Sequence, residues 1–366
     1  MRQSPLKQRF AALGATFSER FGTEIVANVY GKEKEYNFIR KSAGLTDFSY
    51  MQKFRLPEEC GLDFLDRTLA GNVAKVRFGR VLHTFLADAE GMLTADCYVA
   101  NYDEELIVLC ESIADDSVIR AIFTEGTECQ VEDLTESHVV IGIDGCKAYS
   151  VVKELFGADI LGLPYLSIEN YTFQNEKVNL LRAGKTSEFG YLLLAPASIA
   201  ESLYEALEAP LSKIDGGDCG LDIHNDLRLE GRFFNIFEEG LRVKDPLPLG
   251  LQWMIDFEKE NFLGSGKIME RRKEGLQKKI IGVRAESGLS LAIGDQIYDG
   301  ERIVAEIKAS CYSWSLNARL GLALFDVDVA YSGLVFNIGS PDGPEIKTIS
   351  MPPIMPKSLT VKLDEI

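Results

Sequence analysis

Residues 88–99 read Asp88-Ala89-Glu90-Gly91-Met92-Leu93-Thr94-Ala95-Asp96-Cys97-Tyr98-Val99. Asp88 to Gly91 carries turn residues, and the seven residues after Met92 alternate. Leu93, Ala95, Cys97 and Val99 fall on one face of a strand, and Thr94, Asp96 and Tyr98 on the other. With the apolar run at 83–88 before it, the segment reads as a hairpin whose second strand aims an aspartate away from the core. Just upstream, Leu62, Leu65 and Leu69 recur at helical spacing and Gly71 stops that helix.

Working outward, helices are expected over 117–126, over 146–157 after the strand HVVIGI, and over 197–210. In the last of these Ile199, Leu203, Ala206 and Leu207 share a face and Pro210 closes the helix. Strands and helices alternate irregularly with hairpins among them, which argues for α+β rather than a doubly wound sheet. Beyond about residue 275 the runs KKIIGVRAE, QIYDGERIVAEIKAS, LGLALFDVDV and GLVFNI are short, β-rich and separated by Gly and Asp turns, as in a small barrel. The basic run Lys267 to Lys279 is expected at the join as one solvated helix face.

The 366 residues call for two or three domains, and 46% apolar content with mean hydropathy near zero describes a globular chain. No apolar run reaches the roughly 18 residues of a bilayer span, and the N-terminus lacks a signal-peptide core, so a cytoplasmic location is expected. With 39 basic and 56 acidic residues the net charge is −17, which repels phosphate backbones and anionic lipid. Nucleic acid and membranes are therefore excluded as expected partners. Seven scattered cysteines without a C-x-x-C pair are expected to be reduced. No metal site is expected, because His83, His138 and His224 lie far apart. Asp222, His224 and Asp226 alternate and are expected in a polar loop or domain-joining strand. Gly264-Ser265-Gly266-Lys267 has the end of a phosphate loop but lacks its first glycine and its Ser/Thr.

Seven blocks follow in order over roughly residues 5 to 336: Ala43-Gly44-Leu45 with Asp47, Ser49, Met51 and Lys53; DAEGMLTADCYV; VVIGIDGCKA; RAGKTSEFGYLLLAP; GLDIHNDLRLEG; DPLPLGLQWMIDFEKENFLG; and SLNARLGLALF. Together they resemble the glycine cleavage T-protein (aminomethyltransferase) family. The resemblance implies an α+β, three-domain cloverleaf of two interleaved lobes and a C-terminal β-barrel. The expected bounds are 1–50 with 150–225, 51–149 with 226–274, and 275–366. It also implies one-carbon transfer, aminomethyl or methyl, onto tetrahydrofolate as co-substrate. The donor is then a small molecule or a lipoyl carrier protein. The catalytic role falls on Asp96, since a carboxylate near a folate nitrogen orients its N–H and stabilises developing positive charge.

His83, Tyr98, Ser112, Arg182, Glu188 and Arg228 make up the expected folate-binding set. For Arg228 and Glu230 an ion pair bridging the lobes is an equal expectation. Several positions depart from the family pattern. Its pocket tyrosine is His83, the tyrosine of GYTGE is Lys185, the Arg of ARD is His224, and the glutamate of GFE, which pairs with the pteridine N–H donors, is Leu192. The alternative function is a non-catalytic folate or small-molecule binding protein on the same fold.

Overall fold

The computed structural model describes residues 1–259 and 261–362. A hairpin of β1 (Thr16–Arg20) and β2 (Thr23–Asn28) precedes an eleven-stranded sheet. The sheet uses β3 (Gly44–Asp47), β4 (Gln52–Pro57), β5 (Arg80–Ala87), β6 (Leu93–Tyr102), β7 (Glu105–Ser112), β8 (Glu132–Asp133), β9 (His138–Gly145), β10 (Ser167–Phe173), β11 (Glu176–Arg182), β12 (Phe189–Pro196) and β13 (Gly217–Cys219). Their order is β13-β3-β9-β12-β11-β10-β5-β6-β7-β4-β8. Only one residue pair, Ser167 with Arg80, joins β10 to β5, so the sheet is two half-sheets stitched at a narrow seam. The strand β9, which the sequence bounds put with 51–149, hydrogen-bonds between β3 and β12.

The strands β14 (Lys278–Glu286), β15 (Gln296–Asp299), β16 (Arg302–Ser313), β17 (Ala318–Asp326), β18 (Val335–Ile338) and β19 (Glu345–Ile349) close into a barrel through β14 and β19. Closure leaves no unpaired edge. The fold is α+β with a C-terminal barrel, as the alternation of patterns and the β-rich tail imply. Among the described residues no helix is long and apolar enough to cross a membrane.

The hairpin expected at 83–99 is present as β5 and β6, with Gly91 in the left-handed region (φ 69°) at its turn. Helices stand where periodicity puts them: α3 (Glu58–Thr68), α4 (Asp116–Thr124) and α5 (Ala148–Phe156), after α1 (Lys7–Ala12) and α2 (Lys32–Lys41). Four expectations need correction. The helix α6 (Ala200–Lys213) runs through Pro210 instead of stopping there, because Leu207 and Leu211 on its inner face are both buried in the lobe core. Residues Asp222, His224 and Asp226 are on a helix, α7 (Leu221–Glu230), not a loop or strand. Ile223 and Leu227, four apart, pack on Tyr36, Ile39 and Cys219, while Leu229 is buried in a second core with Phe234 and Leu249. Burial on two sides blurs the helical period in the sequence. The basic run is split: the helix Ser265–Glu274 ends at Gly275, and Lys278 and Lys279 open β14. Finally, Cys60 and Cys129, 69 residues apart, form a disulfide, so the thiols are not all reduced. The remaining five cysteines are free and buried.

Glu230 at the end of α7 is fully buried and joins three parts of the chain. It accepts from Tyr36 Oη (2.8 Å) and Arg40 Nη2 (2.8 Å) on α2, and from Ser313 Oγ on the barrel strand β16. Two apart on a helix, Arg228 points elsewhere, to Glu239 (2.6 Å). Replacing Glu230 by Ala leaves Arg40 buried without its main counter-charge. Glu230→Ala is expected to cost about 3–5 kcal/mol, read from urea midpoints. Glu230→Gln is expected to cost less.

His224 accepts or donates at Nε2 to the Thr46 hydroxyl (2.7 Å) and meets the edge of Phe48. Burial lowers its pKa from 6.5 to about 3. The unfolded chain therefore binds the extra proton first, and stability falls as pH drops from 6.5 towards 3. His224→Gln is expected to lose on the order of 2 kcal/mol less stability than the parent between pH 7 and pH 4.5, by urea titration at each pH.

Candidate functional site

In the pairing of β5, β6 and β7, Asp96 lies opposite Phe85 and Glu111, and His83 lies opposite Tyr98. Opposite residues share a face, so His83, Asp96, Tyr98 and Glu111 all point one way. The other face, with Ala95, Cys97 and Val99, is buried against α3 and α4 residues such as Phe64, Leu65, Ile119 and Phe123. A core on one side thus fixes where the carboxylates aim.

Two carboxylates directly across a strand pair repel. Lys185, from the loop between β11 and β12, resolves this: its Nζ is 2.6 Å from Asp96 Oδ2 and also bonds Glu111. His83 Nε2 holds Asp96 Oδ1 at 2.7 Å, and Tyr50 donates its hydroxyl to Glu111. Burial would raise the Asp96 carboxyl, but His83 and Lys185 outweigh it and hold the pKa at about 2. The same two carboxylates raise the Lys185 ammonium against its burial. Asp96 is therefore an anion, and Lys185 a cation, across the physiological range.

Above this cluster opens a narrow cavity with about 60 Å³ of room for water-sized groups. Phe48, Met51, Leu192 and Leu221 supply apolar wall, and Tyr98, Glu111, Asp144, Lys185, Asn225 and Arg228 supply polar groups. Asp96 is one layer behind, screened from the cavity by Lys185. The Tyr98 ring stacks on His83 at 4.5 Å, and its hydroxyl is buried without a partner among the described residues. An orphaned buried hydroxyl at a cavity wall is a group waiting for a ligand atom or a water. At the mouth Arg20, on the β1–β2 hairpin, stacks over Phe237 at 4.3 Å.

The expected site residues separate into two groups. Asp96, His83 and Tyr98 come together, and Arg228 reaches the cavity wall. The Arg228 guanidinium is spent on Glu239 and on Asn225 (2.8 Å). Ser112 instead shapes the turn after β7, bonding Thr94 O and the Ala114 N–H. Arg182 donates to Leu163 O and lies over the Phe189 ring. Glu188 binds Arg40 and caps the Lys357 and Ser358 N–H groups of the C-terminal segment. These three do not line the cavity.

Sequence reading passed over Glu111, Tyr50 and Asp144. Glu111 was findable: it sits in the alternating run of β7 on the face opposite Cys110, next to Ser112. Nothing local marks Tyr50, in the turn between β3 and β4, or Asp144, on β9; both reach the site only through long-range packing.

Residues 6–259 match the family model described as the GCVT N-terminal domain. The chain is 25% identical to the aminomethyltransferase of Saccharopolyspora erythraea over 342 residues, covering 92% of this chain and 93% of that one. It is 24% identical to the aminomethyltransferase of Bacillus subtilis over 349 residues, with 92% and 94% covered. Its fold matches the crystal structure of the glycine cleavage system aminomethyltransferase T from Bartonella henselae with a TM-score of 0.81, at 20% identity over 97% of this chain and 98% of that one. A charged strand face backed by a core, a cavity above it, a closed barrel and a domain match over most of the chain agree: this protein belongs to the glycine cleavage T-protein, or aminomethyltransferase, family.

Proposed function

We propose that the protein transfers a one-carbon unit, methyl or aminomethyl, from a small free donor to tetrahydrofolate bound in this cavity. The observation that carries the reading is the Asp96 carboxylate, kept ionised at 2% side-chain exposure directly behind the cavity wall. An anion fixed in a dry site stabilises positive charge on a neighbouring atom far better than one in water, at no reorganisation cost. Tetrahydrofolate, when bound, supplies the acceptor nitrogen for the one-carbon unit.

The chain's own residues supply the setting. His83 fixes the Asp96 carboxylate in orientation through Oδ1. Tyr98 offers its unpartnered hydroxyl to a ligand atom, and Phe48, Met51 and Leu192 give the flat apolar contact an aromatic ring system needs. Lys185 is shared between Asp96 and Glu111, so turning it towards Glu111 frees Asp96 Oδ2 without leaving the ammonium unpaired. A free donor fits better than a carrier-borne one, since a net charge of −17 opposes docking of an acidic carrier.

One observation favours the second reading, a non-catalytic binding protein: Lys185 stands between Asp96 and the cavity, and both Asp96 oxygens are already engaged. Anaerobic calorimetric titration with tetrahydrofolate, followed by a donor screen for one-carbon transfer, separates the two. The transferase reading expects micromolar binding, nearly unchanged in Asp96→Asn, with transfer lowered about 10²- to 10³-fold in that variant. Lys185→Tyr is then expected to lower transfer as well. Transfer that appears only in Lys185→Tyr marks the parent as a binder. Absence of tetrahydrofolate binding by the folded parent ends the transferase reading and leaves a binder of another small molecule.

A further inference from the structure

The family's carboxylate for the ligand's N–H donors is absent at Leu192, yet the cavity wall has a carboxylate in reach of the same place. In the β9–β12 pairing Leu192 lies opposite Gly142, and Asp144 lies opposite Gly190. Asp144 and Leu192 are thus diagonal neighbours on one face of the sheet, about 7–8 Å apart at the backbone. Both line the cavity.

Asp144 is 2% exposed, and its surroundings are built to hold it. The Thr186 hydroxyl donates to Oδ1 at 3.0 Å. A Cβ at Gly184 would lie 2.7 Å from that oxygen and one at Gly190 2.9 Å from it, so only glycine at both positions leaves space for the carboxyl group. Arg40 is the nearby cation, but its guanidinium is committed to Glu230, Glu188 and Thr186 O. Among the described residues nothing donates to Oδ2, and burial pushes the carboxyl pKa up to about 7 despite Thr186 and Arg40. A buried carboxyl with one held oxygen and one open oxygen lacks a donor.

We infer that Asp144 replaces the missing carboxylate at position 192 and binds the adjacent ring N–H and exocyclic NH2 of a 2-amino-4-oxo fused heterocycle. This rests on the folate reading above. The open Oδ2 has the lone pairs to accept from this edge, while Oδ1 stays with Thr186. Asp144 is on this account a specificity-determining residue of the cavity, and Thr186 the group that sets its orientation.

Tetrahydrofolate affinity, by anaerobic calorimetry, is compared in the parent, Asp144→Asn, Leu192→Glu and the double variant, with thermal unfolding of each unliganded protein as the fold control. Asp144→Asn is expected to weaken binding about 10- to 100-fold, since an amide offers an NH2 to a donor edge. Leu192→Glu in the parent is expected not to tighten binding, because the donor pair is already taken. The double variant is expected to recover most of the loss, which a purely structural role of Asp144 would not allow. Unchanged affinity in Asp144→Asn, or a tenfold gain in Leu192→Glu alone, overturns the assignment while leaving the folate reading intact. Absence of binding by the parent removes both together. The Leu192→Glu arm decides the matter even where Asp144→Asn does not fold.

Discussion

Asp96 and Glu111 face each other across β6 and β7, two carboxylates in a register that repels unless a cation lies between them. Lys185 is that cation, and much of the structure serves to put it there. Its loop is anchored on one side by Thr186 to Asp144 and on the other by Arg40, which holds both Thr186 O and Glu188. Arg40 in turn is fixed by Glu230, which reaches the barrel through Ser313. The charge balance at the cavity therefore depends on contacts in all three parts of the chain. Buried pairs of this kind contribute little net stability compared with apolar packing, but removing one partner is costly, so they fix arrangement more than they add energy.

Lys185 sets the physics of the site by charge rather than by hydrogen bonding alone. A tyrosine hydroxyl shares hydrogen bonds without altering charge. An ammonium neutralises one of two carboxylates and keeps Asp96 ionised, yet it stands between Asp96 and the cavity. The same loop that screens Asp96 also holds Asp144 of β9 through the Thr186 hydroxyl.

Legibility followed range. The β5–β6 hairpin, the faces of β6, helices α3 to α5 and the β-rich tail were readable because alternation, helical spacing and turn residues are local signals. The placement of Asp96 and Tyr98 on one face followed from the same alternation. The helix α7 was not readable, since it is buried on two sides and its apolar residues no longer mark one stripe. Pro210 misled for a related reason: burial of Leu211 outweighs one lost backbone hydrogen bond. The Cys60–Cys129 bond joins residues that meet only when α3 and the chain before β8 fold together.

The sequence by itself determined the class of fold, the strand that carries Asp96 and the family. Only the tertiary structure decided which groups meet: that Lys185 bridges Asp96 and Glu111, that Glu188 and Arg182 serve the scaffold, and that Asp144 stands beside Leu192. The reason is physical. Which face a strand residue occupies is set by its own period of two, whereas which charges meet is set by register between strands and loops tens of residues apart, and no local pattern encodes that distance.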